Sequence, residues 1–285
     1  MFKVKQINNE FVEPVKFTDQ KADKRPVRGA NIFSEVYCNI FLCARKKSGK
    51  TCGIAKIVEA CSTSETRIIV FANTLEKDPT WGEIRKYCSK NDIDFTGFRN
   101  IKDLDTKQDI LAHIMRDLGE PGGEKETQEK VKSNYNPILV GSGAVKEKKK
   151  KKPKELAPEI IFIFDDQSGE LQLPSVAKLL KEHRHYKCKT IISSQYWNDI
   201  VMQGRKQIDY ILLYKGLAKS IPKMRDIYKD IDLTVEFETF MELYSYATAE
   251  KYHFLFIDKV NNEFRKDFTH KITVPDEDEE PEQEL

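Results

Sequence analysis

The stretch that decides the fold is Val36-Tyr-Cys-Asn-Ile-Phe-Leu-Cys-Ala-Arg-Lys-Lys-Ser-Gly-Lys-Thr51. From Val36 to Ala44 it is nearly all apolar, which reads as a strand buried on both faces. A helical pattern then runs from Gly49 to about Cys61. Between the two, the sequence matches the template G-x-x-x-x-G-K-[ST] at Gly49, Lys50 and Thr51, with Ala44 in the first glycine position. A loop of this length wraps backbone N–H groups around a phosphate, and the helix N-terminus adds its dipole. Lys50 is expected to reach the β- and γ-phosphates of ATP, and the Thr51 hydroxyl to bind Mg²⁺. The motif ends a strand and opens a helix, which is the context it needs. The expected nucleotide-binding residues are therefore Ala44, Arg45, Lys46, Lys47, Ser48, Gly49, Lys50 and Thr51. One of Arg45, Lys46 and Lys47 could act on the γ-phosphate in cis, or all three could simply face water.

Downstream, apolar runs alternate with helix-like segments. Arg67 to Ala72, Ile93 to Phe98, Glu159 to Phe164, Lys189 to Ser193, Asp209 to Tyr214 and Tyr252 to Ile257 read as strands. Helices are expected near Trp81 to Asn91, Thr106 to Leu118, Ser175 to His185 and Trp197 to Gln203, with two more between Lys219 and Ala247. This alternation predicts an α/β fold, a mostly parallel sheet with helices on both faces.

Two strand ends carry chemistry. Glu159-Ile-Ile-Phe-Ile-Phe-Asp165-Asp166 is a buried strand ending in two carboxylates, expected to lie beside the phosphate-loop strand. Asp165 would hold Mg²⁺, while Asp166, pointing differently, could orient and deprotonate a water. Lys189-Thr-Ile-Ile-Ser-Ser-Gln195 ends at the same sheet edge, and Gln195 could sense a γ-phosphate. Arg184 and Arg205 are candidates for an arginine supplied to a neighbouring subunit.

Charged residues make up 33% and hydrophobic ones 39% of the 285 residues, which excludes wholesale disorder and leaves enough to bury a core. The net charge of +2 conceals an acidic tail. Residues 275–285 hold seven acids and no base, so the rest of the chain sets 48 bases against 39 acids, or +9. A basic body attracts polyanions without reading sequence. Residues 1–30 read as a basic arm, 31–274 as the main domain, and 275–285 as a solvated tail. Within the domain, about 119–158 reads as an insertion with a lysine run from Lys146 to Lys154. The six cysteines show no metal-ligand spacing and are expected reduced and mostly buried. No apolar run approaches the length of a membrane span, and no secretory signal is expected.

Taken together, FLCARKKSGKT, the IIFIFDD strand, the KEHRHYK segment, the IISSQ strand end and the RKQIDYILLY stretch resemble the DNA-packaging ATPases of large DNA viruses and virophages. These belong to the FtsK/HerA superfamily of P-loop motors, with a RecA/ASCE-like fold. The resemblance spans about Val36 to Tyr214. It implies an ATP-driven, Mg²⁺-dependent motor that translocates double-stranded DNA into a preformed capsid as a homo-oligomeric ring. It also implies non-specific DNA contacts, a capsid or portal-vertex partner, and a place in the virion or infected-host cytoplasm. By position it assigns Lys50 and Thr51 to phosphate and Mg²⁺, Asp165 to Mg²⁺, Asp166 to the base and Gln195 to sensing. Ala44 departs from the family pattern, as does Lys47, where many relatives have glycine. Two other readings fit the residues: a small-molecule or nucleoside kinase, and a nucleotide-binding assembly protein without useful turnover.

Overall fold

Every residue of Asn39–Cys43, Ile160–Asp165, Cys188–Ser194 and Tyr210–Tyr214 is buried. Strands covered on both faces need helices above and below them. The computed structural model describes residues 23–119, 139–141, 154–217, 220–233 and 235–274. In chain order the first half runs β1 (Asn39–Cys43), α1 (Lys50–Cys61), β2 (Arg67–Ala72), α2 (Pro79–Lys90), β3 (Asp94–Phe98), α3 (Ile110–Gly119) and β4 (Leu139–Gly141). The second half runs β5 (Ile160–Asp165), α4 (Pro174–Glu182), β6 (Cys188–Ser194), α5 (Met202–Arg205), β7 (Tyr210–Tyr214), α6 (Ile221–Ile231), α7 (Phe237–Ala247), β8 (Phe254–Asp258), β9 (Glu263–Lys266) and β10 (His270–Ile272).

The ten strands form one sheet in the order β10-β9-β8-β7-β1-β6-β5-β2-β3-β4. From β7 to β3 neighbouring strands run parallel, and antiparallel strands extend both edges. Alternate residues of each strand feed opposite layers. Phe41, Cys43, Phe162, Phe164 and Ile211 pack with α3, α4, α6 and α7. Ile40, Leu42, Ile161, Ile163 and Leu212 pack with α1 and α2. The α/β class and its two helical layers are as the sequence predicts.

Several expectations are corrected. β5 does not lie beside β1, because β6 intervenes and pairs with both. Backbone ties fix this arrangement: Ala44 N donates to Ser194 O at 3.0 Å, and Asp166 N donates to Ser193 O at 3.0 Å. The helix expected over Trp197 to Gln203 is instead a 3₁₀ turn, Trp197–Asp199, followed by the short α5. Side chains break it: Trp197 Nε1 donates to Asp230 at 2.8 Å, Asp199 pairs with the Ser194 hydroxyl, and Gln172 holds two carbonyls of the turn. α3 begins at Ile110, after a turn organised by the Asp103 carboxylate, rather than near Thr106. The short edge strands β4, β9 and β10 were not anticipated, since three or four residues carry too little periodicity.

The far end of the expected insertion packs against the expected arm. Arg28 N donates to Leu156 O and Leu156 N to Pro26 O, both at 2.8 Å, and Arg28 pairs with Glu155 at 3.0 Å. β4, also within the insertion, pairs antiparallel with β3. Most of the lysine run and the acidic tail lie outside the described residues. Five of the six cysteines are buried, and Cys52 is exposed. Among the described residues, no helix is long and apolar enough to cross a membrane.

In the centre of one layer, Phe71 stacks between Phe98 and Phe164, each ring 5.3 Å away. Phe71→Ala should lower unfolding free energy by about 3–5 kcal/mol in a denaturant titration. A loss below about 1 kcal/mol would contradict this packing.

Candidate functional site

Strand β1 ends in Ala44, and the chain turns through Arg45 to Gly49 before entering α1. The Ser48 hydroxyl closes this turn by donating to Arg45 O at 2.7 Å. Gly49 is the residue before the helix, with φ 92°, and no side chain caps α1. The first N–H groups of the helix therefore open onto the loop with no side chain to satisfy them. α1 also has no acid in its first turn, so nothing in the helix opposes an anion there.

Lys50 Nζ donates to Asp166 Oδ1, joining two motifs 116 residues apart. Lys50 is only 7% exposed, whereas the Asp166 side chain is 38% exposed. Asp166 follows the strand with φ 52°, a left-handed conformation. Asp165 is buried, and its Oδ1 has no hydrogen-bond partner among the described residues. Burial pushes its carboxyl up to about 6, against the pull of the nearby Lys50 charge. An orphaned, buried carboxylate oxygen facing a lysine is suited to a hard cation.

A third acid completes the cluster. Asp78 caps α2 through Oδ1, accepting from Thr80 N at 2.9 Å, and its Oδ2 accepts from Thr51 Oγ1 at 3.3 Å. The Thr51 hydroxyl, held by Asp78, and the Asp165 carboxylate are oxygen groups of the kind that could hold Mg²⁺ alongside phosphate and water. No group of three or more His, Cys, Asp or Glu among the described residues could hold a metal by itself.

No protein-family model matches the chain, and no curated protein matches it. Solved structures do. The genome packaging NTPase B204 of Sulfolobus turreted icosahedral virus 2, in complex with AMP, matches 84% of this chain and 100% of its own at 16% identity, with a TM-score of 0.51. The fold is that of a P-loop NTPase. The same protein with ATP-gammaS matches at TM-score 0.47 and 16% identity, covering 81% of this chain and 96% of that one. The cytoplasmic domain of the type VII secretion ATPase EccC of Thermomonospora curvata matches at 0.43 and 12%, over 77% of this chain and 24% of its own.

Of the remaining candidates, some lie beside the P-loop, and Arg184 and Arg205 do not. Gln195, half-buried, lines a cavity of about 880 Å³ together with Arg45 and Lys46. Arg45, Lys46 and Lys47 are exposed. Arg184 is exposed just beyond α4, at the edge where the parallel strands begin, which is the opposite edge from the P-loop. Arg205 is tied to Asp230 at 2.6 Å with its side chain only 14% exposed. Asp78 was missed. Asp-Pro-Thr does announce a helix start, but only the sheet order, with β2 beside β5, brings that start to the P-loop.

The two departures from the P-loop pattern differ in consequence. Ala44 is fully buried and is not among the residues with positive φ, so a glycine there relieves nothing. Lys47 has φ 61°, where glycine is at ease. Lys47→Gly should raise stability by a few tenths to about 1 kcal/mol, and Ala44→Gly should lower it by a similar amount. Equal signs in thermal or denaturant unfolding would contradict this.

Asp165 also sets a pH dependence. Its folded-state value near 6 lies above the unfolded one, so the stability it confers is full below about pH 4 and lost as pH rises through about 6. The loss amounts to about 3 kcal/mol. With Mg²⁺ chelated, Asp165→Asn should be more stable than wild type at pH 8, with the gain shrinking toward pH 5. A variant less stable than wild type at pH 8 in urea would overturn this account of the buried carboxylate.

Proposed function

We propose that this protein is an ATP-hydrolysing motor that moves double-stranded DNA into a preformed capsid, acting as a homo-oligomeric ring. The observation that carries the reading is the contact between Lys50 and Asp166, which unites phosphate loop and acid pair in one site. The P-loop NTPase fold supports it, as does the genome packaging NTPase among its structural neighbours. The body's excess of bases supports a grip on the phosphate backbone rather than on base edges.

In this reading, the N–H groups opening α1 and the Lys50 ammonium receive the β- and γ-phosphates of ATP. Thr51 and Asp165 would hold Mg²⁺, with Asp78 accepting from the Thr51 hydroxyl and orienting it. When bound, Mg²⁺ neutralises charge on the β- and γ-oxygens. Lys50 leaves Asp166 for the incoming phosphate, and the freed carboxylate accepts the proton of the attacking water. Gln195, at the end of the strand between loop and acids, responds to the γ-phosphate. Arg184, exposed at the opposite edge from its own site, is the better placed arginine to act on a neighbouring subunit. Arg205 would first have to leave Asp230. A capsid or portal-vertex component is the proposed docking partner, in the virion or infected-host cytoplasm.

Phosphate release measured with and without double-stranded DNA, across salt concentrations, tests the reading. DNA should stimulate turnover, and the stimulation should fade as salt rises. Lys50→Ala and Asp166→Asn should each lower turnover by at least about a hundredfold. Asp166→Asn should bind a non-hydrolysable ATP analogue at least as tightly as wild type, because it removes an anion that competes for Lys50. Turnover retained by Asp166→Asn would falsify its assignment as the base, and turnover indifferent to DNA would remove the motor.

A further inference from the structure

Tyr252 lies in the turn between α7 and β8, far along the chain from the phosphate loop, yet its ring reaches that loop. A Cβ built on Gly49 would lie 3.4 Å from Tyr252 Cδ1 and 3.9 Å from its Cβ. The side chain is thus packed against the glycine that opens α1. It is also 58% exposed, one of the few large apolar side chains left in solvent. Its hydroxyl has no hydrogen-bond partner among the described residues, so neither core packing nor a polar bond accounts for it.

The backbone is unusual as well. Tyr252 has φ 74°, a left-handed conformation that glycine and asparagine adopt readily and a bulky aromatic does not. Neighbouring residues hold the turn in place. The Lys215 ammonium donates to Ala249 O on one side. On the other, Asp267 accepts from Phe254 N at 3.2 Å, Asp267 N donates to Phe254 O at 3.0 Å, and His253 Nδ1 lies 2.6 Å from Asp267 Oδ2. An exposed aromatic kept in a strained conformation at the rim of a site is a feature for which ligand contact gives a reason. Lys251 Nζ stands 4.7 Å from the ring centroid and adds positive charge beside the loop.

We propose that Tyr252 is the platform on which the base of a bound nucleoside di- or triphosphate stacks. This rests on the phosphate-loop reading above and extends it from the phosphates to the base. Phosphates held at the opening of α1 leave the rest of the nucleotide to extend along neighbouring surface, and the Tyr252 ring touches that opening. Stacking on a flat aromatic face tolerates any base, so the site selects for a nucleoside and not for adenine alone.

Calorimetric titration with ADP and with inorganic pyrophosphate, both with Mg²⁺, tests this. Tyr252→Ala and Tyr252→Gly should weaken ADP about tenfold and leave pyrophosphate unchanged. Tyr252→Phe should retain ADP affinity. Tyr252→Gly also relieves the backbone, so its loss of ADP should come with unchanged or higher thermal stability. Equal weakening of both ligands, or ADP binding indifferent to loss of the ring, would overturn the stacking role while leaving the phosphate loop standing. A wild-type chain that binds neither ligand would bring down the phosphate-loop reading and the stacking role with it.

Discussion

A lysine ammonium removed from water is costly unless an anion meets it, and Lys50 is removed almost completely. Asp166 is the anion that meets it in this structure. Much of the site follows from that single pairing. The carboxylate stands at the end of β5 on a left-handed backbone, next to the buried Asp165. A phosphate arriving at the loop brings stronger negative charge and more acceptor oxygens than a carboxylate. The same ammonium can thus serve the protein in one state and the ligand in the other. The Lys50 ammonium need not be left unpaired in either.

The sheet order is what makes the pairing possible. β6 lies between the loop strand and the acid strand, and its last carbonyls bond to both Ala44 and Asp166. The distance between loop and acids is therefore set by one strand's width and by main-chain hydrogen bonds, not by flexible side chains. Several left-handed residues lie at this edge. Lys47, Gly49, Asp166, Gly216 and Tyr252 all have positive φ, and Gly216 lies under the Arg45 side chain while Tyr252 lies against Gly49. Strained residues persist where surrounding structure over-determines them, and here rigid strands on both sides do so.

The central strands were legible because each is a continuous apolar run bounded by polar residues. The phosphate loop was legible because strand, motif and helix stand in one short segment. Asp165 and Asp166 were legible as the polar end of IIFIFDD. What the chain alone could not disclose is adjacency between distant segments. It gave no sign that β6 would slip between β1 and β5, or that the Asp78 cap would turn toward Thr51. Tyr252 carries no local signal at all, since an aromatic in a turn acquires meaning only from what lies across from it. The conformational demands at Ala44 and Lys47 were likewise invisible, because φ is a property of the folded turn.

The claim on which the rest depends is that Lys50 and Asp166 share one site. A double-mutant cycle on unfolding free energy, with Lys50→Met, Asp166→Asn and the pair, measures this directly in nucleotide-free protein. The account predicts that the double variant loses less than the two single losses combined, by on the order of 1 kcal/mol given the partial exposure of Asp166. Saturating ATP analogue should shrink that coupling. Strict additivity in the nucleotide-free protein would contradict the account.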